Sequence, residues 1–367
     1  MNPLSQLHQI GQSVWLDYLD RELLTGGELT RLIEEDGIRG VTSNPTIFDK
    51  AVSGSDAYDE AIRAAVLERP DIDATELYER LAIRDIQHAC DILRPVYEES
   101  EGGDGYVSLE VSPHLADDTE ATIEEVRRLW HSADRPNLMI KVPATPQGIP
   151  AIERLVGEGY SINITLMFSL AHYEAVAQAY LRGLARAPDA LRPASVASFF
   201  VSRVDTKVDR ALDEIGTSEA RALRGKIAVA NSKLVYRRFT EIFYGEECAA
   251  LRAHGARCQR VLWGSTSTKN PDYSDILYVQ ELIGPDTVNT MPPATVDAFR
   301  DHGQACSTVN EGIEEAEARL ATLSELGIDL EGVAEQLQLE GVKAFGDSFD
   351  HLLHSLDEKR RALASSP

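Results

Sequence analysis

The stretch from Asn137 to Ile152 reads NLMIKVPATPQGIPAI, and its one lysine decides how the chain must fold. Leu138, Met139, Ile140 and Val142 make a short apolar run, with Pro143 behind it and ADRPN (133–137) in front. Such a run predicts a buried β-strand, and Lys141 lies inside it. An ammonium buried without a partner costs several kcal/mol, so burial favours loss of the proton. A lysine in that position needs a chemical reason. The following segment, IPAIERLVGEG (149–159), has helical periodicity and ends on glycines suited to a helix C-cap.

Working outward, the same alternation recurs along the chain. Further β-rich runs are SVWLDYL (13–19), GIRGVTSNP (37–45), GYVSLEVSP (105–113), SINITLMFS (161–169), ASVASFFVS (194–202), QRVLWGSTS (259–267) and DTVNTMPPA (286–294). Helical patterns such as TELYERLAIRDIQHACDILRPVYEES and LAHYEAVAQAYLRGLARA fill most gaps. Strands alternating with helices imply right-handed βαβ units and a parallel sheet. Eight of them predict an α/β fold of the (β/α)8 TIM-barrel type. An open doubly wound sheet is the alternative, but no strand is followed by a GxGxxG loop. Residues 1–367 are expected to form a single barrel domain, with extra helices in 50–104 and 203–258. An acidic, amphipathic helical extension, about 308–362, is expected to pack on the barrel.

Composition narrows the function. Hydrophobic residues at 43% and charged residues at 26% give the balance of a soluble globular enzyme. No apolar run is long enough to span a membrane, and MNPLSQLHQIGQSVWLDYLD lacks the regions of a signal peptide. The four cysteines are scattered, as in a cytoplasmic protein with reduced thiols. The nine histidines are dispersed too. His351 and His354 could share a helix face, but two ligands are too few, so no metal is expected. A net charge of −24 argues against nucleic acid and anionic membrane as partners. A small phosphorylated substrate fits, provided that a few local cations hold it.

Lys141 has company. Asp17, Asn44, Glu110, Thr165 and Ser198 fall near the C-terminal ends of other strands, and Arg203 follows the sixth. Taken singly, each has a plain structural reading: an acid in an edge ion pair, a hydroxyl bonded to the backbone, a lysine paired with Glu110. In a (β/α)8 barrel, however, all those ends share one face, where active sites are built. A desolvated lysine supplies a neutral amine that attacks a ketone and forms a Schiff base. The protonated imine then accepts electrons from a breaking C–C bond. Such chemistry needs two proton-transfer groups, a task that Glu110 and Asp17 could divide.

These residues sit in recognisable motifs. DGIRGVTSNPTIF (36–48) and LMIKVPATPQGIPAIERL (138–155) resemble the two transaldolase signatures, and SINITLMFS, SFFVSR and WGSTSTKNPDYSD (263–275) resemble further family motifs. The resemblance covers nearly the whole chain. It implies a (β/α)8 barrel that needs no cofactor and a Schiff base on Lys141. It also implies Asp17 as acid/base, and Glu110 with Thr165 holding a proton-relaying water. Asn44, Asn163 and Ser198 would bind the hydroxyls of a dihydroxyacetone unit, and Arg203 the substrate phosphate. Where many members have a second phosphate-binding arginine, this chain offers Lys269 in STSTKNP.

The implied partners are phosphorylated sugars: sedoheptulose 7-phosphate or fructose 6-phosphate as donor, glyceraldehyde 3-phosphate or erythrose 4-phosphate as acceptor. Related aldolases that release free dihydroxyacetone typically have Gln at the place of Glu110 and Tyr at that of Phe200, so both positions side with transaldolase. A barrel without catalysis, acting as a binding protein, is the remaining alternative. It would usually show a broken set. The oligomeric state, monomer or homodimer, stays open.

Overall fold

The computed structural model describes residues 2–188 and 192–364. Eight parallel strands close into one barrel in sequence order. They are β1 (Gln12–Leu16), β2 (Ile38–Thr42), β3 (Tyr106–Glu110), β4 (Leu138–Pro143), β5 (Ile162–Met167), β6 (Ser195–Phe200), β7 (Arg260–Gly264) and β8 (Thr287–Met291). Each lies inside the run expected for it except β1, which begins one residue earlier, at Gln12. The two long connections do hold additional helices: Pro45–Ser53, Asp59–Glu68 and Ala74–Glu99 before β3, and four helices between Ser202 and Ala253 before β7.

Strands buried on both faces explain the continuous apolar runs. In β4, Leu138, Ile140 and Val142 have no exposed surface and face the surrounding helices, each worth about 1.5–3 kcal/mol of burial. Met139 and Lys141 alternate with them and point into the barrel. The ladder sets Lys141 beside Glu110 of β3 on one side and Asn163 of β5 on the other.

At the N-terminal end, Asp104 anchors a buried polar knot. It accepts hydrogen bonds from Ser13 and from the Trp15 indole at 2.8 Å, and pairs with Arg39 and Arg260 at 3.4 and 3.3 Å. Trp15 fills the lumen next to Gly40, where a Cβ would fall 2.5 Å from the indole ring. The opposite end is open.

Two features shape that open end. Leu166 in β5 has a left-handed φ of 62°, and the β5–β6 ladder slips between Ile164 and Met167, which makes a β-bulge. The C-terminal helix, Leu330–Ala364, packs against the helices Pro45–Ser53, Asp59–Glu68, Ala74–Glu99 and Ser202–Ile215 and reaches β5 itself. Its buried residues Phe345, Phe349, Leu352 and Leu356 recur at helical spacing. Buried Gln338 donates from Nε2 to the carbonyls of Ala144 and Leu166, both at 3.0 Å. A distant helix thereby fastens the end of β4 to the bulge of β5.

No helix among the described residues is long and apolar enough to cross a membrane. Among them there is also no group of three or more potential metal ligands, and His351 instead bonds Asp49 at 2.9 Å.

Candidate active site

The C-terminal end of the barrel opens into a cavity of about 630 Å³. Asp17, Asn44, Lys141, Thr165, Ser198, Phe200, Arg203 and Lys269 all line it. These residues come from strand ends or the turns just beyond them, so barrel closure alone brings them together. Glu110 and Asn163 lie behind this lining, in contact with it.

Lys141 is 4% exposed. Its Nζ donates to Glu110 Oε2 and to the Ser43 carbonyl, both at 3.1 Å, and lies 5.8 Å from the centre of the Phe345 ring. Burial pushes the Glu110 carboxyl up from its usual range. The positive charge of Lys141 and its hydrogen bond oppose that shift, and the charge of Asp17 adds to it. A primary amine and a carboxyl of raised proton affinity thus meet in one buried place.

Asp17 follows β1 directly. Its Oδ1 accepts from Thr42 Oγ1 at 2.6 Å, and Thr42 in turn meets Thr290 at 2.7 Å. Burial pushes Asp17 up as well, against the Thr42 bond and the positive charges of Lys141, Arg203 and Lys269. The two carboxyls therefore differ in kind. Glu110 is bound to the amine itself, whereas Asp17 is held by a hydroxyl.

Thr165 sits one residue before the bulge. It is fully buried, lines the cavity, and its Oγ1 has no hydrogen-bond partner among the described residues. An orphaned hydroxyl inside a polar cavity is suited to a transient partner. Asn163, by contrast, is fully engaged: its Nδ2 donates to Ser108 at 3.0 Å and its Oδ1 accepts from Ser198 at 2.6 Å. Asn44 caps the helix Pro45–Ser53 by accepting from the Ile47 amide at 3.0 Å.

Cations mark one side of the mouth. Arg203, half-buried at the start of the helix Ser202–Ile215, lies 5.2 Å from the Phe200 ring centre. Burial lowers its proton affinity, yet a guanidinium stays charged near neutrality. Lys269 is exposed and donates to Ser267 Oγ at 2.6 Å, so it faces the cavity rim and not only solvent. A phosphate there would meet a forked donor and a point charge.

Several contributors were not singled out in the sequence. Thr42, the Ser43 carbonyl and Phe345 touch Asp17 or Lys141, and Gln338 bonds the backbone next to Thr165. The inward position of Thr42 at the last residue of β2 was a usable signal. The reach of Gln338 and Phe345 across the barrel mouth had none, because nothing local ties residue 345 to residue 141.

Comparison with known proteins agrees with this geometry. The sequence profile of the Transaldolase/Fructose-6-phosphate aldolase family matches residues 14–356. A protein named Transaldolase from Thiobacillus denitrificans is 50% identical over 357 residues, 96% of this chain and 99% of that one. One of the same name from Parafrankia sp. is 50% identical over 368 residues, 99% of each. Another from Trichodesmium erythraeum is 44% identical over 376 residues, covering 99% of this chain and 98% of its own. Likeness over so nearly the whole length, on a barrel with a buried lysine at its open end, places this chain in the transaldolase/fructose-6-phosphate aldolase family.

Proposed function

We propose that the protein is a transaldolase, moving a dihydroxyacetone unit from a ketose phosphate to an aldose phosphate through a Schiff base on Lys141. The observation that carries this reading is the pairing of buried Lys141 with Glu110 at 3.1 Å, in a cavity shared with Asp17. Sedoheptulose 7-phosphate and fructose 6-phosphate are the donors, and glyceraldehyde 3-phosphate and erythrose 4-phosphate the acceptors. This exchange belongs to the non-oxidative pentose phosphate pathway in the cytoplasm.

The neutral amine of Lys141 attacks the donor ketone and gives a carbinolamine. Glu110 and Thr165, through a water between them, return a proton to the departing hydroxyl, and water leaves as the iminium forms. Asp17 then takes the proton of the hydroxyl on the second carbon from the iminium carbon, C4 of the donor. The C–C bond breaks, its electrons pass into the iminium, and an aldose phosphate departs from an enamine. The acceptor aldehyde is attacked by that enamine, Asp17 returns its proton to the new alkoxide, and water releases the ketose product.

Asn44 and Ser198 hydrogen-bond the hydroxyls of the three-carbon unit. Asn163 joins them by exchanging one of its bonds within the barrel. Phe200 walls the cavity, and Arg203 with Lys269 holds the phosphate. The test is borohydride trapping with fructose 6-phosphate, read by intact mass and peptide mapping. A three-carbon adduct on Lys141, lost when erythrose 4-phosphate is added before the reductant, is the expected result. Release of free dihydroxyacetone from the donor before the reductant is added identifies an aldolase, and no adduct at all leaves a binding protein.

A further inference from the structure

The two cations at the cavity mouth belong to different parts of the chain, and something must fix the distance between them. Arg203 opens the helix Ser202–Ile215, whereas Lys269 and Ser267 lie in the irregular segment after β7. That segment leaves the barrel at Ser265, whose φ is 53°. There it is tied to the helix start: the Ser202 amide donates to the Ser265 carbonyl at 3.0 Å, and the two hydroxyls meet at 2.9 Å. Its far end returns to the same helix. The Tyr273 hydroxyl donates to Asp209 Oδ2 at 2.7 Å, and the Tyr278 hydroxyl donates to Asp205 Oδ2 at 3.1 Å.

Both carboxylates are buried, at 1% exposure for Asp205 and 8% for Asp209, and both are held from behind. Asp209 Oδ1 accepts from the Gly225 amide at 3.0 Å, and Asp205 Oδ1 from the Ala228 amide at 2.7 Å. Gly225 also gives Tyr273 its seat, since a Cβ there would lie 2.8 Å from the ring. Asp205 and Asp209 are one turn apart, and Arg203 is two residues before the first of them. The chain between Ser265 and Tyr273 is thus a short arch with both feet on one helix, and Lys269 stands on it.

We propose that Asp205 and Asp209, acting through Tyr278 and Tyr273, are positioning residues that fix Lys269 against Arg203 and so make the site selective for phosphorylated over unphosphorylated sugars. Neither carboxylate touches the cavity. Their effect is to hold two charges on the lining of one cavity in a molecule whose net charge of −24 opposes the substrate. This assignment rests on the function proposed above, because only a phosphorylated substrate uses both cations.

The experiment compares the parent with Y273F, Y278F, the double variant, and K269A as a benchmark. Two readouts separate phosphate binding from chemistry: KM and kcat with fructose 6-phosphate, and the rate of borohydride-trapped adduct from free dihydroxyacetone. The double variant should raise KM for fructose 6-phosphate about tenfold, toward the K269A value, with kcat within about twofold. Its adduct rate with dihydroxyacetone should match the parent. An unchanged KM in the double variant overturns the proposal, as does an unchanged KM in K269A or an equal loss with both ligands. If the double variant does not fold, Y273F alone carries the test, because it removes one hydroxyl from a half-buried ring and should raise KM about threefold. Absence of any adduct in the parent overturns the functional reading itself, and it does so before a variant is made.

Discussion

Lys141 and Thr165 show how unequal two buried polar residues can be. The lysine is satisfied by Glu110 and the Ser43 carbonyl, whereas the threonine hydroxyl is left over. A buried hydroxyl without a partner forgoes about 1–3 kcal/mol of hydration, and valine fills the same shape without that loss. T165V is therefore expected to keep or raise the melting temperature while turnover falls about 100-fold. Loss of stability together with activity would mean that the hydroxyl is structural. Asp17 makes a second case. Burial raises its proton affinity, so the folded state binds the proton more tightly than the unfolded chain does. The resulting stability is complete below the ordinary carboxyl range and is lost as pH rises through the raised value. The melting temperature of D17N relative to the parent should accordingly climb as pH rises from the ordinary carboxyl range through the raised value, and a flat difference would refute that sign. At this scale much was legible in the sequence, because a charged residue in an apolar strand stands out. Thr42 went unnoticed since a threonine at a strand end looks ordinary.

Among elements, the bulge in β5 and the C-terminal helix act together. Leu166 holds a left-handed conformation that costs a non-glycine residue about 1–2 kcal/mol, and its buried side chain offsets that cost. Gln338 bonds the Leu166 carbonyl and so braces the turn that aims Thr165. Q338L is expected to lose about 1–3 kcal/mol in denaturant unfolding, because two buried carbonyls lose their donor. Turnover should fall with it, even though residue 338 does not line the catalytic cavity. The sequence made the helix visible through its apolar spacing, and the strand through its β-rich run. The bulge and the glutamine brace were hidden: SINITLMFS reads as an unbroken strand, and one glutamine on an acidic amphipathic helix looks like solvated surface.

At the scale of the whole molecule, closure of the barrel follows from eight strands with crossovers, which alternation alone announced. The charge did not announce its use. A surplus of 60 acidic over 36 basic residues repels itself, and much of it lies on the exposed faces of the outer helices. Screening should relieve this, so the melting temperature is expected to rise by a few degrees from about 0.05 M to about 0.5 M sodium chloride. A fall would mean that surface pairs such as Arg128 with Glu79 and Glu125 matter more than the net repulsion. The placement of Phe345 over Lys141 has a consequence of another kind. A ribosome delivers Asp17, Glu110, Lys141 and Arg203 long before it delivers the residues that roof them. The growing chain thus carries its reactive amine without a lid or a brace for β5. A chain lacking residues 330–364 is therefore expected to bare Lys141, leave β5 unbraced and lose turnover.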